Sequence, residues 1–213
     1  MTELLITRPE HDDTTHYLSN WSKEIIDIAE GKNIKVFDLN REKAITKNVE
    51  LRLNKISCNL TFFNGHGDFN VIGGHNNELL IIGGENECLL KSKIVYAISS
   101  KSAKELGPKS VKAGAISYIG FDDDFIFVYE PEKISRPLND NTAKLFLEPS
   151  QIFIKSLVKG NSVKEGMEKT KKLLADNFLK ALNSNDTNSA KYLWWNLKHF
   201  VSHGDLDAKI GNI

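Results

Sequence analysis

Along this chain, short continuous apolar runs alternate with longer stretches in which apolar residues recur at helical spacing. Leu4-Leu5-Ile6-Thr7 reads as a first strand, stopped by Arg8-Pro9. From Thr14 to Glu30, Trp21, Ile25, Ile28 and Ala29 recur at three- and four-residue intervals, which predicts a helix. Gly31 then predicts a left-handed cap. Ile34 to Leu39 reads as a second strand, and Arg41 to Lys55 as a second helix carrying Val49, Leu51 and Leu53. Asn59 to Phe63 is a third strand, cut off at Asn64-Gly65. Ile94 to Ile98 is a fourth and Ala115 to Ile119 a fifth. After Glu130 the pattern turns helical, over roughly 140–147, 151–157, 162–182 and 189–201, with a polar break from Asn183 to Asn188.

Strands that are apolar nearly throughout and separated by helices imply an α/β fold: a mainly parallel sheet flanked by helices on both faces. Such sheets bind ligands at the carboxyl ends of their strands. Here those ends are Arg8 to Asp13, Asn64 to Asp68, Ser99 to Ser102 and Phe121 to Asp124. Phe69 to Leu90, rich in glycine and asparagine, holds Val71-Ile72 and Leu79 to Ile82, which predict a small inserted hairpin. It contains neither a dinucleotide-type Gly-x-Gly-x-x-Gly nor a Gly-x-x-x-x-Gly-Lys phosphate loop, so no nucleotide cofactor is expected.

Composition narrows the picture. The 213 residues fit a single domain, with a core over about 1–130 and a helical part over about 139–213. Twenty-eight basic residues balance 28 acidic ones, and no basic block stands out, which argues against nucleic-acid binding. No apolar run approaches the roughly 18–20 residues needed to span a bilayer, and the N-terminus lacks a signal-peptide pattern. A cytoplasmic, non-membrane protein is expected. The two cysteines, Cys58 and Cys88, have no metal-ligand spacing and form no disulfide framework, so no metal is expected either. Cys58 reads as a small core hydrophobe before a strand, and Cys88 lies in the insert.

The candidate chemistry lies at the strand ends. His66, between Gly65 and Gly67, follows the third strand directly, and flanking glycines allow tight backbone and close ligand approach. A turn histidine without chemistry fits the same position. His11, His16 and His75 read as ordinary surface residues. Ser99-Ser100-Lys101-Ser102 ends the fourth strand, where a serine next to a histidine can act as a nucleophile. Ser102 reads instead as the cap of a helix starting at Ala103. No Gly-x-Ser-x-Gly elbow is present. Tyr192, Leu193, Trp194, Trp195 and Phe200 form an aromatic band on the last helix, expected to pack on the sheet's flank or to dock a partner.

Three segments together resemble the caspase-like (clan CD) cysteine peptidases, in particular the gingipain and CHAT branch. They are Phe62-Phe63-Asn64-Gly65-His66-Gly67, Val95 to Gly107 and Ala113 to Gly120. In that group a His-Gly follows the third core strand, and a later strand ends in Ser-Cys with Ser-Ala and Leu-Gly downstream. The resemblance covers about Leu4 to Phe127. It places the nucleophilic cysteine at Ser100, a departure from the family pattern.

The resemblance implies an endopeptidase acting on a protein or peptide, without a cofactor. A thiol at position 100 would attack the scissile carbonyl, His66 would protonate the leaving amine, and the backbone N–H groups of Gly67 and residue 100 would hold the oxyanion. Ser100 is then either an engineered replacement that silences a peptidase, the reading favoured by the intact surrounding motif, or a natural residue. A natural serine would make the chain an inactive binding or regulatory module, or a Ser-His hydrolase. The primary pocket would draw on Asp12 and Asp13 and on Asp122, Asp123 and Asp124, whose carboxylates would select a basic residue. The same acids also read as helix N-terminal charges and a solvated turn. Arg8 offers the opposite preference, for an acidic residue. The resemblance further implies control by a regulatory protein partner or by homodimerisation.

Overall fold

The computed structural model describes residues 2–55 and 59–212; Cys58 lies outside them. Among the described residues one sheet runs through β1 (Glu3–Arg8), β2 (Lys35–Asn40), β3 (Leu60–Asn64), β7 (Ile94–Ile98), β8 (Ser117–Phe121) and β9 (Phe200–Gly204). Its spatial order is β2-β1-β3-β7-β8-β9. The first five strands pair in parallel, and β9 adds an antiparallel edge. The insert forms a separate antiparallel sheet of β4 (Gly67–Asp68), β5 (Val71–Gly73) and β6 (Leu79–Ile82). The expected hairpin therefore gains a third strand, because Gly67-Asp68 pairs back onto Val71-Ile72 straight after the histidine.

Alternation along the strands divides the apolar residues between two cores. Leu4, Ile6, Phe62, Tyr96 and Ile119 face one side, with Tyr17, Leu18 and Ile25 of α1 (Asp13–Glu30) and Phe153, Ile154 and Leu157 of α4 (Asn141–Val158). Leu5, Phe63, Val95, Ala97 and Tyr118 face the other. There they meet Val49 and Leu53 of α2 (Thr46–Lys55), Leu106 of α3 (Leu106–Lys112) and Ile72 and Leu80 of the insert. This is the expected mainly parallel sheet with helices on both faces. A third cluster of Phe146, Leu174, Ala181, Ala190 and Leu193 joins α4 to α5 (Val163–Asn183) and α6 (Thr187–His199).

Several boundaries differ from expectation for identifiable reasons. Gly31 sits in right-handed helical geometry (φ −62°), and Asn33 takes the left-handed conformation instead. The second helix starts at Thr46, since Arg41 at φ 49° opens a separate 3-10 turn. The fifth strand is Ser117–Phe121, two residues later than expected. Phe200 and Val201 leave the last helix for β9: Phe200 joins one core and Val201 packs against the other, the period of a strand. Ser102 caps nothing, because its hydroxyl donates to Ser99 O (2.8 Å) and accepts from Tyr118 (3.0 Å), while α3 begins at Leu106.

The two segments expected at 140–147 and 151–157 are one helix that runs through Pro149. Proline lacks the N–H that would bond the carbonyl four residues back. That orphaned carbonyl, Leu145 O, accepts instead from Asn177 Nδ2 on α5 at 2.7 Å.

Candidate active site

Parallel pairing of β3 with β7 aligns Asn64 with Ile98, so the two strands end level and their next residues leave the sheet at one rim. Gly65 N donates to Ile98 O (3.2 Å), tying the histidine loop to the serine strand. The His66 carbonyl is gripped from two sides, by Gly73 N and by Ser99 Oγ, each at 2.8 Å. Gly67 could carry no side chain: a Cβ there would collide with Ser99 Oγ and crowd Ser100 O. The loop bearing His66 is thus bonded directly to Ile98 and Ser99, the two residues that precede Ser100.

The His66 imidazole is 42% exposed, and its Nε2 lies 2.5 Å from Asp12 Oδ2. Asp12 also caps α1. Its Oδ1 accepts from Thr15 N and from Thr15 Oγ1, both at 2.8 Å. Burial alone would raise the Asp12 pKa, but the Thr15 amide and the His66 ring favour the ionised form and hold it below the ordinary value. The carboxylate expected to line a substrate pocket therefore stands on the imidazole.

Ser100 is half-buried, and its Oγ accepts from the amide of Phe125 at 3.2 Å. Among the described residues no hydrogen bond joins Ser100 to His66, and the Ser100 amide donates to no other group. Lys101 follows in a left-handed turn (φ 62°), its amide on Asp123 O (3.0 Å) and its ammonium on Asp124 Oδ1 (3.2 Å). The stretch from Asp122 to Ile126 is held from α6. Trp195 Nε1 donates to Asp124 O (3.0 Å), Asn196 bonds both backbone groups of Ile126, and His199 Nδ1 pairs with Asp122 Oδ1 (2.7 Å). The expected aromatic band is thus divided. Leu193 and Phe200 are core, Trp195 anchors this loop, and Trp194 is exposed.

Of the expected pocket acids, Asp13 accepts from Tyr129 OH (3.1 Å), Asp122 is paired with His199, Asp123 Oδ1 accepts from the Asp124 amide, and Asp124 is paired with Lys101. Arg8 cannot take up an acidic substrate residue. It is buried, with Asp38 on two of its nitrogens (2.9 and 2.6 Å) and Ser19 on a third.

His11, His16 and His75 are not ordinary surface residues. The His11 side chain is only 10% exposed, and its ring lies 5.9 Å from that of His66 and 5.4 Å from that of His75. His16 is bonded to Glu10 (2.9 Å) and to Ile134 O (3.0 Å). Sequence reasoning missed Asp12 as the partner of His66. The available signal was that both stand just beyond adjacent strands of a parallel sheet.

No protein-family model and no curated protein matches the chain. Solved structures do. The crystal structure of the Arg-specific cysteine proteinase gingipain R superposes with a TM-score of 0.64 at 11% identity, over 97% of this chain and 46% of that one. A complex of the pro- and mature domains of Porphyromonas gingivalis RgpB gives 0.59 at 11%, over 97% and 47%. A structure described as a protease gives 0.56 at 15%, over 98% and 48%. The chain spans just under half the length of each. The shared feature is the fold: the mostly parallel, helix-flanked sheet is that of the caspase-like gingipains.

Proposed function

We propose that this rim is a caspase-like cysteine-peptidase site in which Ser100 occupies the nucleophile's position. The observation that carries the reading is the joint presentation of His66, Gly67 and Ser100 from the level ends of β3 and β7, with Asp12 on the imidazole. With a thiol at position 100, the sulfur attacks the scissile carbonyl. His66 protonates the leaving amine while Asp12 fixes its ring. The backbone N–H groups of Gly67 and residue 100 hold the developing oxyanion.

Serine changes the chemistry. An alcohol needs a base in contact with it, and Ser100 is bonded to the Phe125 amide rather than to His66. The chain with Ser100 therefore binds its protein or peptide substrate with little or no cleavage. A basic residue is the proposed preference at the scissile bond. An open depression of about 430 Å³ beside Asp12 is lined by Glu10, His11, Asp12, Asp13 and His16, and the exposed Asp13 carboxylate is available to a lysine or arginine there. A similar structure that pairs pro- and mature domains supports a regulatory protein partner. The free thiol of Cys88 suits a reducing, cytoplasmic setting.

The test is a matched panel of fluorogenic peptides ending in Arg, Lys, Asp or Asn. The Ser100→Cys protein is expected to cleave the basic members and the unaltered protein none. A Ser100→Cys protein inert on every member contradicts the proposal.

A further inference from the structure

His11 is a buried imidazole with neither ring nitrogen hydrogen-bonded among the described residues. Buried polar groups are nearly always paired, and one left open asks for a missing partner. Both nitrogens of His11 are enclosed, and the ring lies beside a carboxylate and two further imidazoles, those of His66 and His75. His11 Nε2 lies 3.7 Å from Asp12 Oδ2, and that oxygen lies 2.5 Å from His66 Nε2. One ligand atom from each of the three residues falls within 4.8 Å of the others.

We propose that His11, Asp12 and His66 form a site for a divalent cation of the zinc class. Two imidazoles and one carboxylate are a donor set that zinc accepts, with a fourth position left for water or substrate. Bonds of about 2.0–2.2 Å at tetrahedral angles put ligand atoms about 3.3 Å apart. The two separations from Asp12 Oδ2, 2.5 and 3.7 Å, lie on either side of that value, and the two imidazole nitrogens are within 4.8 Å of each other, so side-chain adjustment without backbone rearrangement can close the set around one ion. Support from outside the ligand set is already present. Asp12 is oriented through its other oxygen by Thr15 N and Oγ1, and the His11 backbone amide bonds the same Thr15 hydroxyl at 3.0 Å. The cation takes the place of the hydrogen between His66 Nε2 and Asp12 Oδ2, and in a neutral ring that hydrogen moves to Nδ1.

The site stands whether or not the rim is a peptidase. If it is, a bound cation occupies the nitrogen of His66 that faces Asp12 and blocks the imidazole's acid–base role. Zinc would then be a reversible inhibitor.

Chelator-treated protein is titrated with zinc chloride by calorimetry, alongside His11→Gln, Asp12→Asn and His66→Ala. The expected result is one zinc per chain, with affinity falling by about tenfold or more in each variant. Folding of the variants is checked by circular dichroism. A second measurement needs no variant: zinc is expected to shift the ring proton resonances of His11 and His66 and to leave those of His199 and His203 in place. Absence of saturable binding at 100 μM zinc (roughly, a concentration that fills a micromolar site) overturns the proposal. So does zinc that binds undiminished in the His11→Gln and His66→Ala proteins, or that shifts only the remote histidines.

Discussion

Asp12 and His66 meet through a 2.5 Å contact between residues 54 apart in sequence, and the same carboxylate caps α1. The helix start and the rim loop are therefore one unit: whatever orients α1 also orients the imidazole. In the Ser100→Cys protein, His66→Ala is expected to lower kcat/KM by about 10²–10⁴-fold, the usual worth of general acid–base catalysis. Asp12→Asn should lower it less while keeping the cap, because asparagine caps as well as aspartate does. Equal rates for Asp12→Asn and its parent would show that the carboxylate does not position His66.

The Phe125 amide aimed at Ser100 Oγ stabilises negative charge on whatever atom stands there. A thiol introduced by Ser100→Cys is expected to ionise below the ordinary cysteine value of about 8.5. The pH profile of its reaction with iodoacetamide checks this, and a midpoint at or above that of the exposed Cys88 contradicts it.

Gly67 faces Ser99 Oγ with no room for a methyl group. Gly67→Ala should abolish the peptidase activity of the Ser100→Cys protein and cost about 1–3 kcal/mol of stability, the usual penalty of overpacking. Urea unfolding and the peptide assay, run on the same samples, separate the two effects.

Asn177 supplies the donor that Pro149 lacks. Asn177→Leu strands the Leu145 carbonyl and should cost about 1–3 kcal/mol in urea unfolding. Pro149→Ala restores the N–H within α4, so in that background the same substitution should cost much less. Additive costs in the double mutant would mean the two residues do not act on one carbonyl.

The capping box of α5 gives a pH signature. Ser162 N donates to Glu165 Oε2 (2.7 Å), and Glu165 N donates to Ser162 Oγ (3.2 Å). The Ser162 backbone bond holds the Glu165 carboxyl below its ordinary value. A depressed carboxylate contributes stability that is present above the unfolded-state value and is lost as pH falls through the folded one. Thermal unfolding should therefore show a component lost on acidification below about pH 4.3, and Glu165→Gln should remove it.

The sheet was legible because β1, β3 and β7 are apolar on both faces, which only a doubly covered parallel sheet requires. The rule that such sheets bind at their carboxyl ends brought His66 and Ser100 to one rim. The rest depended on contacts between distant segments. Asp12 already satisfied a local rule as a helix cap, so nothing in its neighbourhood called for a histidine. The two faces of Phe200 and Val201 continue a helical aromatic pattern by sequence, and become a strand only because β8 offers an unpaired edge. Pro149 reads as a helix break until the donor from Asn177 is in view.

Whether His66 and the residue at position 100 serve one peptide-binding centre is decided by treating the Ser100→Cys protein with an arginyl chloromethyl ketone and locating the adduct by peptide mass spectrometry. A single adduct is expected at position 100, formed much more slowly when His66→Ala is added and blocked by an excess of arginine peptide. Labelling that falls equally on Cys88, or that ignores both His66→Ala and the competing peptide, contradicts it.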